Sequence, residues 1–324
     1  MIASKTPVVI FAFNRREPLK MVLDRLVCAE GVAERDIIVY IDGPRNESDA
    51  KKIELVLGVV ETFKKSTLHN IEIRLRERNL GCQKNISSAI GEVLSAYGKI
   101  IVIEDDVLVS KYFLRYMDDA LTLYENDTRI WGVNGHQCPY MRLPIGFKED
   151  VYLSPRNLCT GWGTWKNRWE KVDFLIKDWP QFIADKENVE KIYAAGWDIK
   201  AMLDKHYKGK LNSWALPCTY YMVKHDMYVI EPRYSLTKNV GFGLESVHCG
   251  NIESVWGHQK YYDYRPSLIK DVAPDDNILR RFRYVYNDPR IAPRIMRKLL
   301  RIYKFWTPMY NEPINLKRGT YCFI

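Results

Sequence analysis

Apolar and polar positions alternate in blocks along the first part of the chain. Val8 to Phe13, after Pro7, is a continuous apolar run, the pattern of a strand buried on both faces. Asn14-Arg15-Arg16 follows it, and Pro18 opens a predicted helix with Leu19, Val22, Leu23 and Leu26 on one stripe. Ile37–Ile41 reads as a second strand ending in Asp42-Gly43-Pro44. A helix is predicted from about Asn46 to Lys65, with Ile53, Val56, Leu57, Val60 and Phe63 at helical spacing. Ile71–Leu75 alternates and reads as a third strand. Arg78-Asn79-Leu80-Gly81 then turns into a helix carrying Ile86, Ala89, Ile90, Val93 and Leu94. After the stretch Lys99–Asp106 come a helix with Phe113, Leu114, Met117 and Leu121 and a strand over Ile130–Asn134. Strand and helix alternating this way predict an α/β fold with a mostly parallel sheet covered on both faces.

The chain is organised around Lys99-Ile100-Ile101-Val102-Ile103-Glu104-Asp105-Asp106. A buried strand that stops in three carboxylates calls for positive charge among them, because adjacent acids repel. A bare acidic triplet is otherwise a solvated loop. Carboxylate oxygens suit hard ions such as Mg²⁺ or Mn²⁺, and the carboxyl end of a buried strand is where open α/β sheets bind ligands. Arg15 and Asp42 fall on the same edge. Taken alone, Arg15 reads equally as a solvated arginine or a nucleotide contact, and Asp42 as turn chemistry or an acceptor for a base or ribose. Neither a G-x-G-x-x-G nor a Walker A sequence is present, which leaves carboxylates and metal, not a glycine loop, to hold a diphosphate.

From about residue 136 the alternation stops and aromatic residues become dense. Thr160-Gly161-Trp162-Gly163-Thr164-Trp165 opens a cluster reaching Trp169. Each tryptophan alone reads as core, whereas the glycine-spaced motif as a whole reads as a wall against a ligand. Trp197-Asp198 opens a helix, with Asp198 either a helix cap or a general base. A helix around Trp214–Val223 and a strand at Met227–Ile230 follow. Ser235 to Cys249 reads as an irregular loop over a bound ligand, and His248 within it as a diphosphate or metal contact or a structural histidine. The stretch Arg290–Lys304 is an amphipathic basic helix, suited either to anionic lipid or to docking on the domain.

Composition narrows the classes. The chain has 324 residues, 47% of them hydrophobic, enough for a substantial core. No run of about 18 apolar residues exists to span a membrane, and the N-terminus lacks a signal-peptide pattern. Seven scattered cysteines without a C-x-x-C pair point to reduced thiols, not a disulfide frame or zinc site. A net charge of +9 fits an acidic substrate or an anionic surface, and no nucleic-acid-binding motif accompanies it.

The Glu104-Asp105-Asp106 step, the Asn14-Arg15 and Asp42-Gly43 edges, the Trp197-Asp198 pair and the stretch Pro232…Ser235…Asn239…Gly241…Ser246-Val247-His248 resemble the GT-A glycosyltransferases. Within them they are most similar to N-acetylglucosaminyltransferase I and its bacterial counterparts, over roughly residues 7 to 250. The resemblance implies an inverting, metal-dependent enzyme of GT-A fold using a UDP-sugar, typically UDP-N-acetylglucosamine. It implies nucleotide contacts from Arg15 and Asp42, sugar and ribose contacts from Glu104 and Asp105, Mn²⁺ (or Mg²⁺) on Asp106, and Asp198 as the base. Asn79, Trp162 and His248 join the expected donor-binding set. Residues 1–135 would form the nucleotide-sugar-binding half, 136–260 the acceptor-binding and catalytic half of the same domain, and 261–324 a basic helical tail. The expected partners are the UDP-sugar and a glycan or lipid-linked saccharide acceptor, with an anionic membrane surface through the tail. The expected setting is bacterial, cytoplasmic or peripheral on the inner face of the membrane, in surface polysaccharide or lipopolysaccharide synthesis. Where the animal pattern has a second acid after the Trp-Asp pair, this chain has Ile199. Two other readings fit parts of the sequence. One is a sugar-nucleotide nucleotidyltransferase, against which Asn14-Arg15-Arg16-Glu17 stands where a glycine-rich loop belongs. The other is a non-catalytic sugar-binding protein, which leaves the three acids without a purpose.

Overall fold

The computed structural model describes residues 5–66, 70–139, 141–241 and 259–285. The elements run β1 (Val8–Ala12), α1 (Arg16–Leu26), β2 (Ile37–Ile41), α2 (Glu47–Ser66), β3 (Ile71–Leu75), α3 (Cys82–Tyr97), β4 (Lys99–Glu104), β5 (Val107–Val109), α4 (Phe113–Leu123) and β6 (Ile130–Asn134). The second half continues with β7 (Val151–Ser154), β8 (Trp162–Trp165), α5 (Lys166–Trp169), α6 (Trp179–Phe182), α7 (Lys186–Ala195), α8 (Trp197–Tyr207), α9 (Ala215–Lys224), β9 (Tyr228–Pro232), β10 (Thr237–Asn239) and α10 (Asp276–Val285).

Eight strands form one sheet in the order β3-β2-β1-β4-β8-β6-β9-β7. The strands β3, β2, β1 and β4 are parallel. β8 runs against both β4 and β6, β9 is parallel to β6, and β7 closes the edge antiparallel to β9. The sheet is mostly parallel and carries helices on both faces, an α/β fold. The continuous apolar runs follow from this burial. Along β1, Val8, Ile10 and Ala12 pack with α1, α2 and α4 on one face. Val9 and Phe11 pack with α3 and α9 on the other. The same alternation holds in β2 and β4, so neither face tolerates a polar residue. A third cluster, including Ile176, Trp179, Ile199, Leu203, Leu216 and Tyr220, joins α6, α8 and α9 beside the sheet.

The tryptophan–glycine motif corrects an expectation. Trp162 is not a ligand wall: it lies on β8 inside the sheet with no exposed surface. Its indole stacks on Trp214 at 4.9 Å and on Trp131 at 5.7 Å between ring centroids. Gly163 is required by packing. A Cβ there would lie 2.6 Å from the Ile100 carbonyl oxygen and 2.9 Å from the Met117 side chain. Strand pairing and the approach of α4, not a ligand, account for the spacing.

The C-terminal helix α10 seats Ile278 and Phe282 against Cys138, Met141, Leu143, Tyr152 and Leu158. The basic stretch Arg290–Lys304 and His248 lie outside the described residues. Among the described residues no helix is long and apolar enough to cross a membrane.

Because Trp162 fills the centre of an aromatic stack, Trp162→Ala is expected to cost about 3–5 kcal/mol of stability. Chemical denaturation measures it, and a loss below about 1 kcal/mol would contradict the packing role.

Candidate functional site at the carboxyl edge of the sheet

The ends of β1, β2 and β4 lie level, with Ala12 beside Ile41 and Phe11 beside Glu104. The chain leaves each strand at that edge, so Arg15, Asp42 and the Glu104-Asp105-Asp106 step project from one rim. Arg15 caps the start of α1 and turns its guanidinium into the acids. Its Nη2 pairs with Asp105 Oδ1, its Nε lies 3.4 Å from Asp105 Oδ2, and its Nη1 lies 2.9 Å from Asp106 Oδ2. Burial opposes the Arg15 charge, but the two carboxylates outweigh it and hold its pKa above the ordinary value.

The acids feel the same crowding. Burial raises the Glu104 pKa, and the charges of Asp106 and Asp105 raise it further. Burial also raises Asp105, with Arg15 pulling the other way. Among the described residues no hydrogen bond contributes to the Glu104 carboxylate. Burial most of all, and then the charge of Glu104, raises the pKa of the Cys159 thiol.

A segment 133 residues downstream completes the step. β10 pairs antiparallel with β5, setting Asn239 beside Val107. Asn239 Nδ2 donates to Asp106 Oδ1 at 3.2 Å, and Val240 N donates to the Asp106 carbonyl at 2.8 Å. Gly241 lets the backbone approach these side chains closely. A Cβ on it would stand 2.0 Å from Asp106 Oδ2 and 2.9 Å from Arg15 Nη1.

Asp42 and Asn79 are engaged with each other. Asp42, 5% exposed, accepts from the backbone N–H groups of Gly43, Leu80 and Gly81 and from Asn79 Nδ2. Asn79 also donates to the Gly43 carbonyl at 2.9 Å. Together they clip the turn after β3 onto the end of β2, which is the turn chemistry an Asp-Gly-Pro sequence suggests.

Asp198 lies in the first turn of α8, whose cap is Gly196. Its carboxylate is held instead by Arg156, whose Nη1 lies 2.8 Å and 3.0 Å from the two oxygens. Arg156 follows β7, where the Ser154 hydroxyl accepts from its N–H and donates to its carbonyl. Its charge acts on the Cys159 thiol that Glu104 also acts on, although burial dominates there. The adjacent Trp197 stacks on Tyr193 at 4.0 Å, with Arg283 of α10 over its ring at 5.4 Å.

The chain matches the GNT-I family over residues 2–181, more than half its length. The chain belongs to the GNT-I family. The matched span contains Arg15, Asp42, Asn79, Glu104, Asp105, Asp106 and Arg156, while Asp198 and Asn239 lie beyond it. No curated protein matches the chain. Two crystal structures of S. aureus TarS resemble it distantly. One is 16% identical with a TM-score of 0.36, over 52% of this chain and 30% of the other. The second, residues 1–349 of TarS, is 13% identical with a TM-score of 0.37, over 70% of this chain and 60% of the other. The chain thus spans less than two thirds of either.

The sequence gives no signal for two further groups. Arg156 sits in an irregular loop without periodicity. Glu231, on β9, is fully buried and accepts from Tyr152 Oη at 2.6 Å and from Asn134 Nδ2 at 3.4 Å. Burial pushes its pKa up to about 7, against the pull of Tyr152, Ser154 and Asn134. The native state therefore keeps this proton to higher pH than the unfolded chain does. Its contribution to stability falls as pH rises from the ordinary glutamate range to about 7. Glu231→Gln removes that dependence. The stability of the variant relative to the parent should rise by about 1–3 kcal/mol between pH 5 and pH 8. Urea denaturation across that range checks it, and a constant difference would contradict a raised Glu231.

Proposed function

We propose that the chain is an inverting, metal-dependent glycosyltransferase. In this reading it moves a sugar, N-acetylglucosamine or a related hexose, from a UDP-sugar to a glycan or lipid-linked saccharide in bacterial surface polysaccharide synthesis. The observation that carries this is the convergence of Arg15, Glu104, Asp105, Asp106 and Asn239 at the end of one buried strand in a chain of the GNT-I family. Three carboxylates face one guanidinium there, and Glu104 and Asp105 both have raised pKa values. The surplus negative charge suits a divalent cation, and the donor atoms are the hard oxygens such an ion prefers. Among the described residues no group of three or more His, Cys, Asp or Glu side chains could by itself hold a metal ion, so in this reading the ion needs substrate phosphates to complete its shell. Asp106 would hold it, with Glu104 and Asp105 turned to the sugar and ribose. Bound there, Mn²⁺ or Mg²⁺ supplies positive charge against the departing diphosphate.

The remaining roles belong to the protein. Asp198 accepts the proton of the acceptor hydroxyl as that oxygen attacks the anomeric carbon from the face opposite the diphosphate. Arg156 holds both oxygens of the Asp198 carboxylate in place. Asn239 and Gly241 close one side of the acidic step, and Asp42 with Asn79 fixes the rim beneath the nucleotide. His248 is the further donor contact in this reading. The basic stretch Arg290–Lys304 would keep the enzyme near a lipid-linked acceptor on the inner face of the cytoplasmic membrane.

Labelled UDP-N-acetylglucosamine offered with a panel of saccharide and lipid-linked acceptors tests the assignment. Asp198→Asn should lose about 10²–10⁴-fold in transfer while binding UDP like the parent. Transfer at the parental rate would remove Asp198 from the role of base.

A further inference from the structure

Both carboxylate oxygens of Asp106 have a partner. Oδ1 accepts from Asn239 at 3.2 Å, and Oδ2 is paired with Arg15 Nη1 at 2.9 Å. The Gly241 backbone closes over the same oxygen and the same guanidinium nitrogen, leaving no room even for a Cβ. A cation arriving at Oδ2 therefore meets a positive charge already in place. Of the two partners only Arg15 repels it, since the Asn239 amide is neutral. Two cations a few ångströms apart on one carboxylate is a strongly unfavourable arrangement in a partly buried site.

Arg15 has somewhere else to go. Its Nε and Nη2 edge faces Asp105, so a rotation of the Asp106 carboxylate away from Nη1 leaves the guanidinium its other ion pair. The planar fork of arginine is also suited to two oxygens of a diphosphate. Resting on the donor-site reading above, we propose that Arg15 is a resident stand-in for the metal. In the ligand-free enzyme it neutralises Asp106. It yields that carboxylate to the cation when the cation arrives together with a nucleoside diphosphate, whose oxygens take the released guanidinium. Arg15 thus couples metal loading to donor loading and disfavours binding of the metal alone. It is a positioning residue toward the metal and a direct contact toward the diphosphate.

Binding of Mn²⁺ alone to the full chain, read at pH 8 from the electron paramagnetic resonance signal of the free ion, isolates this role without an acceptor or turnover. Arg15→Met should bind Mn²⁺ alone about tenfold more tightly than the parent. Arg15→Lys, which keeps the charge, should stay near the parent. Asn239→Ala removes a neutral partner of the same carboxylate and should not tighten binding. Arg15→Gln repeats the charge removal should the methionine variant fail to fold. A parallel titration with UDP in the presence of Mn²⁺ separates two failures. If the parent binds UDP in a Mn²⁺-dependent way but neither neutral variant binds Mn²⁺ more tightly, the stand-in role is wrong and the donor site survives. If the parent shows no Mn²⁺-dependent UDP binding, the donor-site reading fails and the inference falls with it.

Discussion

The ion pairs from one guanidinium to two adjacent carboxylates hold the functional edge of this protein together. Asp105 and Asp106 leave a strand buried on both faces, where there is little water to screen them, and Arg15 supplies the nearest opposite charge. The contact ties the start of α1 to the end of β4. Asn239 then ties the same carboxylate to β10. Three segments far apart in sequence are thereby fixed around a few oxygens. The pairing is incomplete, because one guanidinium does not balance three acids; burial first, and then the neighbouring carboxylate charges, raises the pKa values of Glu104 and Asp105. A site in this state favours a ligand that brings more positive charge, which is the physical core of the metal–nucleotide reading.

A second ion pair has a comparable place in the other half. Arg156 engages both oxygens of Asp198, and its own backbone is clamped by Ser154. Ser154 in turn contributes to the buried hydrogen-bond set around Glu231. The candidate base is therefore connected through β7 to the interior of the sheet and does not sit on an isolated surface helix. On its other side α10 reaches Trp197 through Arg283, so the C-terminal helix also bears on the position of α8.

Much of this was legible in the sequence where burial is two-sided. Strands β1, β2 and β4 are continuous apolar runs, and the helices between them show a single stripe, so their type and order follow from periodicity alone. The acidic step and Arg15 were visible because charged residues directly after such runs have few structural uses. The second half was harder for identifiable reasons. β8 is four residues long with a glycine in it, and its tryptophans suggest aromatic recognition as readily as core. Glycine spacing has two physical causes, close approach to a ligand and close approach to neighbouring chain, and at Gly163 it is the second. Asp42 falls on the rim that the strand pattern predicts, whereas its hydrogen bonds with Asn79 depend on a turn whose geometry no local pattern specifies. Arg156 carried no signal, since an ion pair across 42 residues is a product of topology. Asn239 stood out only as part of a polar stretch, and its contact with Asp106 required the β5–β10 ribbon.

The central claim, that the acidic step binds a metal and a uridine diphosphate donor together, is tested most directly by thermal stability. A ligand bound only by the folded state raises the melting temperature according to its occupancy. The account predicts that UDP-N-acetylglucosamine stabilises the protein with Mn²⁺ present, that the shift vanishes in EDTA, and that Asp106→Ala abolishes it. An equal shift in EDTA, or one that survives Asp106→Ala, would contradict it.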